Sequence, residues 1–197
     1  MRSSHRSLLP NFRFGSGRVN CRQAETGQFR TVDVGIQFVD NQGLHEPIEC
    51  LLHMSNITVR PACESDWVFL SMVQETCMRK YAESTWGKWI PEPRENFRAE
   101  THQIIRCDGE EIGCIALIEE SGTLLLEKLY ILPSHQGRGV GTWLLRCIIE
   151  RARTSRKSIQ LRVLRVNPAQ QFYERNGFKT DRSSDERHFM TYAVSSL

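Results

Sequence analysis

The chain has no apolar run approaching the ~20 residues that a membrane-spanning helix needs, so no membrane partner is expected. It has no C-x-x-C pair. Its seven cysteines, Cys21, Cys50, Cys63, Cys77, Cys107, Cys114 and Cys147, are scattered and odd in number. That argues against a disulfide framework and a cysteine zinc site, and for reduced thiols in a cytoplasmic compartment. None of the six histidines stands three to five residues from another, so no metal is expected. The excess of positive charge is only +3, too small to point to nucleic acid. Internal repeats are absent, and no glycine is followed after four spacers by Gly-Lys-Ser/Thr, which removes the P-loop.

What is present is ordinary globular material. Apolar residues make up 40% and charged residues 25%, enough to bury a core. A length of 197 residues fits one domain with an appendage. The appendage is residues 1–53. Its first thirty positions hold Arg2, Arg6, Arg13, Arg18, Arg22 and Arg30 against a single acid, Glu25. No helical or strand period persists there except a weak alternation over 32–39. Such a segment buries too little apolar surface to offset its ordering entropy. A disordered extension, an organelle transit peptide and a misplaced start before Met54 all remain open. The domain is expected to run over 54–197.

From Ile57 the pattern sharpens. A short strand over 57–60 ends at Pro61. Glu64, Ser65 and Asp66 suit the first turn of a helix, and Trp67, Leu70, Val73, Cys77 and Tyr81 then mark one apolar helical face. Residues 81–93, with Trp86, Gly87, Trp89 and two prolines, read as a second short helix or a loop, which 97–102 could continue. Strands over 103–107, 111–118 and 123–132, separated by Asp108-Gly109 and Ser121-Gly122, make an antiparallel meander. A helix begins near Gly139. Another strand over 158–166 follows it and is most simply parallel to 123–132. Asn167-Pro168 opens a helix over 169–175, Gly177 stops it, and 178–180 and 188–194 form a last hairpin. The fold class is thus α/β with a mixed sheet.

The stretch from strand 123–132 into the next helix carries Gly137, Gly139 and Gly141. Glycines there allow close approach and positive φ, and the first helical N–H groups lack intrahelical partners. A pyrophosphate is the natural guest of such a turn, unless the glycines merely make it tight. The dinucleotide fingerprint fails, because Thr142 stands where its third glycine belongs and no acid ends the next strand.

Two motifs together resemble the GNAT-type N-acetyltransferase superfamily. One is Gln136-x-x-Gly139-x-Gly141 directly after Leu129-Tyr130-Ile131-Leu132-Pro133; the other is Asn167-Pro168-Ala169-Gln170-Gln171-Phe172-Tyr173-Glu174-Arg175-Asn176-Gly177-Phe178. The resemblance covers residues from Ile57 to about Val194. It implies a GNAT-like fold in which the 123–132 and 158–166 strands splay, flanked by helices and closed by the C-terminal hairpin. It implies acetyl-CoA as co-substrate, with its pyrophosphate on Gln136, Gly137, Arg138, Gly139, Val140, Gly141 and Thr142. Its pantetheine would pair with the main chain of Leu129, Tyr130 and Ile131. Tyr173 matches the tyrosine that protonates the leaving sulfur, or is a packed aromatic. Asn167 matches a cofactor contact, or only caps its helix; it lies six residues before Tyr173, one fewer than is common.

Transfer to an amine also needs a base. Glu127 shares a face with Leu125, Leu129 and Ile131 if side chains alternate, and so points into the site; an exposed edge carboxylate is the alternative. A water chain and His188 are other candidates, and Arg162 stands where some relatives keep a glutamate. The acceptor pocket implied by the resemblance places Tyr81, Trp86 and Trp89 on its wall, or they build a small core. Arg138, Arg146, Arg151, Arg153, Arg156, Lys157, Arg162 and Arg165, with one acid, Glu150, read mostly as a solvated face. The expected activity is acetyl transfer to a primary amine of a small molecule or a protein. A homodimer paired through the C-terminal strands is implied by the resemblance. A non-catalytic acyl-CoA-binding module and, more remotely, a nucleotide-binding protein are the alternatives.

Overall fold

A computed structural model describes residues 57–194. The expected strand over 32–39, the rest of the 1–53 extension and the domain start at Met54 lie outside the described residues. One sheet of seven strands has the order β1-β2-β3-β4-β5-β7-β6. The strands are β1 (Ile57–Pro61), β2 (His102–Cys107), β3 (Glu110–Glu120), β4 (Thr123–Ile131), β5 (Ser158–Leu164), β6 (Lys179–Ser183) and β7 (Arg187–Tyr192). Every neighbouring pair is antiparallel except β4 with β5. Parallel pairing needs a long crossover, and the helix between β4 and β5 supplies it. Asp108 and Gly109, at φ 52° and 86°, make the tight turn from β2 to β3.

Three helices flank the sheet: α1 (Trp67–Trp86), α2 (Val140–Ser155) and α3 (Ala169–Arg175). The apolar stripe of α2, Val140, Leu144, Leu145, Ile148, Ile149 and Ala152, packs with Leu124, Leu126, Ile159, Leu161 and Val163 into the larger core. Leu70 and Val73 of α1 pack with Phe97, Ile104 and Cys114 into a second, smaller core. Arg60 ties the start of the fold together. Its guanidinium holds Asp66, just before α1, through two bonds of 2.8 Å, and also reaches Glu111 on β3.

Two expectations are corrected. No second helix begins near Tyr81. The chain meets no breaker before Gly87, so α1 runs unbroken to Trp86 and stops where Gly87 takes φ 74° and donates its N–H to Glu83 O. Nor does 97–102 continue a helix. Short 3-10 turns occupy Arg94–Asn96 and Ala99–Thr101, Phe97 is buried, and His102 already opens β2.

The other correction concerns β4. Ala116 pairs with Lys128 and Leu117 with Leu126, which leaves Glu127 as an extra residue, a β-bulge. The bulge reverses the alternation. Before it Leu124 and Leu126 face the larger core; after it Leu129 and Ile131 do, while Tyr130 and Leu132 pack on the smaller one. Glu127 therefore does not continue a common face from Leu125 to Leu129.

Close backbone approach supports this strand. A β-carbon at Gly113 would sit 2.1 Å from Tyr130 O and 3.0 Å from Ile131 Cα, both main-chain atoms that cannot swing aside. Gly113→Ala should therefore lower unfolding free energy by about 3 kcal/mol, seen as a lower urea midpoint at unchanged m-value. An unchanged midpoint would show that β3 and β4 move apart freely.

Candidate active site

β4 and β5 pair only from Thr123 with Ser158 to Leu126 with Leu161. Beyond these residues β5 stays bound to β7 as far as Leu164, while β4 stays bound to β3. The two strands therefore part, and a cleft of about 780 Å³ fills the gap. That size lies within the range of about 300–1,000 Å³ common for small-molecule sites.

One wall of the cleft is bare backbone. Leu132 N–H donates to Ile112 O across the β3–β4 ladder. Alternation along an antiparallel pair then turns the N–H and C=O of Leu129 and Ile131 away from β3, toward the parted strand. Ile131 O accepts from Gln136 Nε2 at 2.6 Å and from the Cys77 thiol at 3.3 Å.

The far end of this wall is the glycine turn. Gly137 and Gly139 take φ 73° and 85°, in the left-handed region. The first helical bond of α2 runs from Trp143 N–H to Gly139 O. The N–H groups of Val140, Gly141 and Thr142 thus have no partner within the helix, and all three residues line the cleft. A β-carbon at Gly141 would stand 3.4 Å from the Ile131 side chain and 3.5 Å from the Phe172 ring, in ordinary van der Waals contact with both.

The structure brings most of the expected residues together. Glu127, Leu129, Tyr130, Ile131, Gln136, Gly137, Gly139, Val140, Gly141, Thr142, Asn167, Tyr173 and Tyr81 all line the cleft. Arg138 does not; it is exposed and lies outside the lining. Gln136 is at the cleft, but its amide turns back onto Ile131. Asn167 Oδ1 accepts from Ala169 N–H at 2.9 Å, so it caps α3, while its Nδ2 stands 3.9 Å from Met78 Sδ. Trp86 and Trp89 lie outside the lining. Trp86 is 41% exposed and stacks under the Arg187 guanidinium at 5.3 Å, because α1 carries it past the cleft to its rim. His188 also lies outside, its Nδ1 2.7 Å from Ser183 Oγ.

Tyr173 is 8% exposed, with its ring edge-on to Phe172 and Phe178 at 5.2 and 5.5 Å. Burial pushes its phenol above the ordinary value of 10. Tyr130 is pushed up as well, by burial first and then by nearby Cys114 and Tyr173. Glu127, on the bulge, stands 3.9 Å from Arg162 Nη2 across the gap. Sequence reasoning did not place Thr76, Met78, Lys80 or Arg187 on the cleft, where all four lie. The one available signal was the stripe that put Cys77 and Tyr81 on a single face of α1.

A buried polar cluster backs the bulge. Lys128 Nζ bonds Glu92 Oε2 at 2.6 Å, Gln74 Oε1 at 3.4 Å and His102 Nε2 at 3.2 Å. An ammonium can only donate, so His102 Nε2 accepts, and its Nδ1–H donates to Arg98 O at 2.8 Å. Burial, with Lys128 adding, holds this imidazole below its ordinary 6.5; the Arg98 carbonyl, Glu92 and Glu127 act the other way. Among the described residues no helix is long and apolar enough to cross a membrane. Among the same residues no group of three or more His, Cys, Asp or Glu is placed to hold a metal ion.

Residues 98–180 match the family described as the acetyltransferase (GNAT) domain. Comparison with curated protein sequences gives no match. Among solved structures, the PaiA N-acetyltransferase of Thermoplasma acidophilum, in complex with coenzyme A, superposes with TM-score 0.54 at 22% identity, over 70% of this chain and 99% of that one. The ribosomal-protein-S18-alanine N-acetyltransferase of Escherichia coli gives 0.57 at 16%, over 72% and 96%. Naa50 of Arabidopsis thaliana, in complex with a bisubstrate analogue, gives 0.50 at 16%, over 71% and 99%. At these identities the likeness is one of fold.

His102 sets a pH dependence of known sign. Its pKa is depressed in the folded chain, so the unfolded chain binds the proton first. The stability contributed by the neutral imidazole is complete above about 6.5 and falls as pH drops below it. The thermal midpoint should therefore fall more steeply between pH 7 and 5 for the parent than for His102→Gln. Equal slopes would show that His102 stays uncoupled from folding.

Proposed function

We propose that this chain, whose residues 98–180 match the acetyltransferase (GNAT) domain family, transfers the acetyl group of acetyl-CoA directly to a primary amine. The acceptor is a small molecule or the amine of a protein. The observation that carries the reading is the parted β4–β5 pair, with unpaired backbone on one side, a glycine turn at one end and Tyr173 in the lining. The pyrophosphate lies on the N–H groups from Gly137 to Thr142, where the helix dipole favours an anion. The pantetheine arm adds to Leu129 and Ile131 like a strand. A backbone N–H of this wall takes the thioester oxygen as charge builds on it. Asn167 supports this wall chiefly by capping α3. Tyr81 lines the acceptor end.

The amine nitrogen forms a bond to the thioester carbon, and the C–S bond breaks with its electron pair going to sulfur. An ammonium acceptor gives up two protons and the sulfur takes one, so each turnover releases one proton. Glu127 takes the first proton, directly or through water. Tyr173 supplies the sulfur's proton, for which a phenol kept neutral by burial is suited. Every element that builds the cleft lies within 57–194, which supports a catalytic unit of 54–197.

Tyr173→Phe should lower kcat by about 10²-fold, since it removes one positioned proton donor, while the Kd for acetyl-CoA stays nearly unchanged. Unchanged turnover would remove the acid role; acetyl-CoA binding without transfer to any amine would favour the non-catalytic module. A chain starting at Met54 should keep the kcat/KM of the full chain.

A further inference from the structure

The charge around the acceptor end of the cleft is uneven, and the pattern bears on what the acceptor is. This rests on the transferase reading above. Four cations line the cleft: Lys80 from α1, Arg162 from β5, Arg175 from α3 and Arg187 from β7. They face one acid, Glu127. The register fixes two of the cations side by side. Leu164 stands opposite Arg187, and Arg162 stands opposite Phe189, so Arg162 and Arg187 are diagonal neighbours on one face of the sheet.

Neither guanidinium is used up by the fold. Arg162 touches Glu127 only loosely, at 3.9 Å. Arg187 lies over the Trp86 ring at 5.3 Å and, among the described residues, has no carboxylate partner. A ring face orients a guanidinium while leaving its N–H edge free to donate. Two such edges on one face suit a planar carboxylate, which each can grip through paired N–H donors. Glu127 then stands at the other end, as the counter-charge for an ammonium.

We propose that the acceptor is a primary amine that carries a carboxylate, held through Arg162 and Arg187 with its nitrogen toward Glu127. Such a zwitterion matches the site charge for charge. A polyamine or a basic peptide would bring positive charge against these four cations and meet repulsion. The acceptor carboxylate also displaces Glu127 from Arg162, so that binding frees the base for the ammonium. The carboxylate comes from a free amino acid or from an acidic peptide; the chemistry is shared.

The test uses the full chain and follows CoA release. Glycine, L-methionine and L-glutamate are compared with their amides, with spermidine, and with a C-terminally amidated tripeptide bearing aspartates at its second and third positions. Rates are expressed per free-base amine. The carboxylate acceptors should show kcat/KM at least about tenfold above the amides and spermidine, the scale of one lost charged hydrogen bond. Preference for the tripeptide or for the free acids names the source, and either supports the proposal. Arg187→Gln and Arg162→Gln should raise KM for carboxylate acceptors by about tenfold, with KM for acetyl-CoA unchanged. Amides or spermidine used as well as the acids would overturn the proposal and leave the transferase reading intact. No CoA release with any amine, despite acetyl-CoA binding, would overturn both. If either variant fails to fold, the acceptor panel on the parent chain decides alone.

Discussion

β5 cannot follow β4 beyond Leu161, and much of the site depends on that parting. β4 is anchored to β3 along its whole length, and β5 to β7 along its own. The bulge at Glu127 lies just where the parallel pairing stops, and bulges increase local twist. Each strand then keeps one satisfied edge and one bare edge. A bare edge in the middle of a sheet is costly unless water or a ligand meets it, because desolvated amide groups that lack partners cost about 1–3 kcal/mol each. On the proposed reading the parted sheet is a docking edge, and an extended, amide-bearing chain would satisfy it.

Part of that edge is already satisfied within the chain. Ile131 O accepts from both Cys77 and Gln136, which ties α1 and the glycine turn to the end of β4. These bonds hold the turn against the strand and set where the unpaired helical N–H groups of α2 stand. The open groups are then those of Leu129, the N–H of Ile131 and the start of α2, in one line along the cleft. A ligand with amides and a diphosphate would match those groups in polarity.

Much of this was legible in the residues, and the misses have physical causes. The glycines and Asn167-Pro168 announce themselves because only certain residues tolerate their backbone roles, so the turn and the start of α3 could be placed closely. The meander and the parallel pairing of β4 with β5 followed from connection lengths. The bulge was not legible: nothing in Leu126-Glu127-Lys128 distinguishes an extra residue from a regular alternation, so Glu127 was assigned a face that does not exist. The end of α1 was misread because two tryptophans and nearby prolines look like a break, whereas helices stop at the first left-handed residue, here Gly87. Arg187 and the Lys128 cluster were missed for a common reason. Each acquires its role from a cross-strand or helix-to-strand neighbour that no local pattern announces.

The proposed acid step raises a question of direction, since a phenol is ordinarily a weaker acid than a thiol. The cleft itself bears on the answer. Cys77 carries a thiol on its wall, and burial pushes that thiol from its ordinary 9.0 up to about 11. On the proposed reading the leaving sulfur of the cofactor would enter the same cleft as a nascent thiolate, and desolvation would disfavour its charge in the same sense. Tyr173 rises too, so burial alone does not reverse the order of the two acids. What it does is make a separated thiolate expensive, so that proton transfer must keep pace with C–S cleavage instead of following it. A neutral phenol packed edge-on against Phe172 and Phe178 is suited to that timing, because burial keeps its proton on the oxygen and the two rings limit where it can turn.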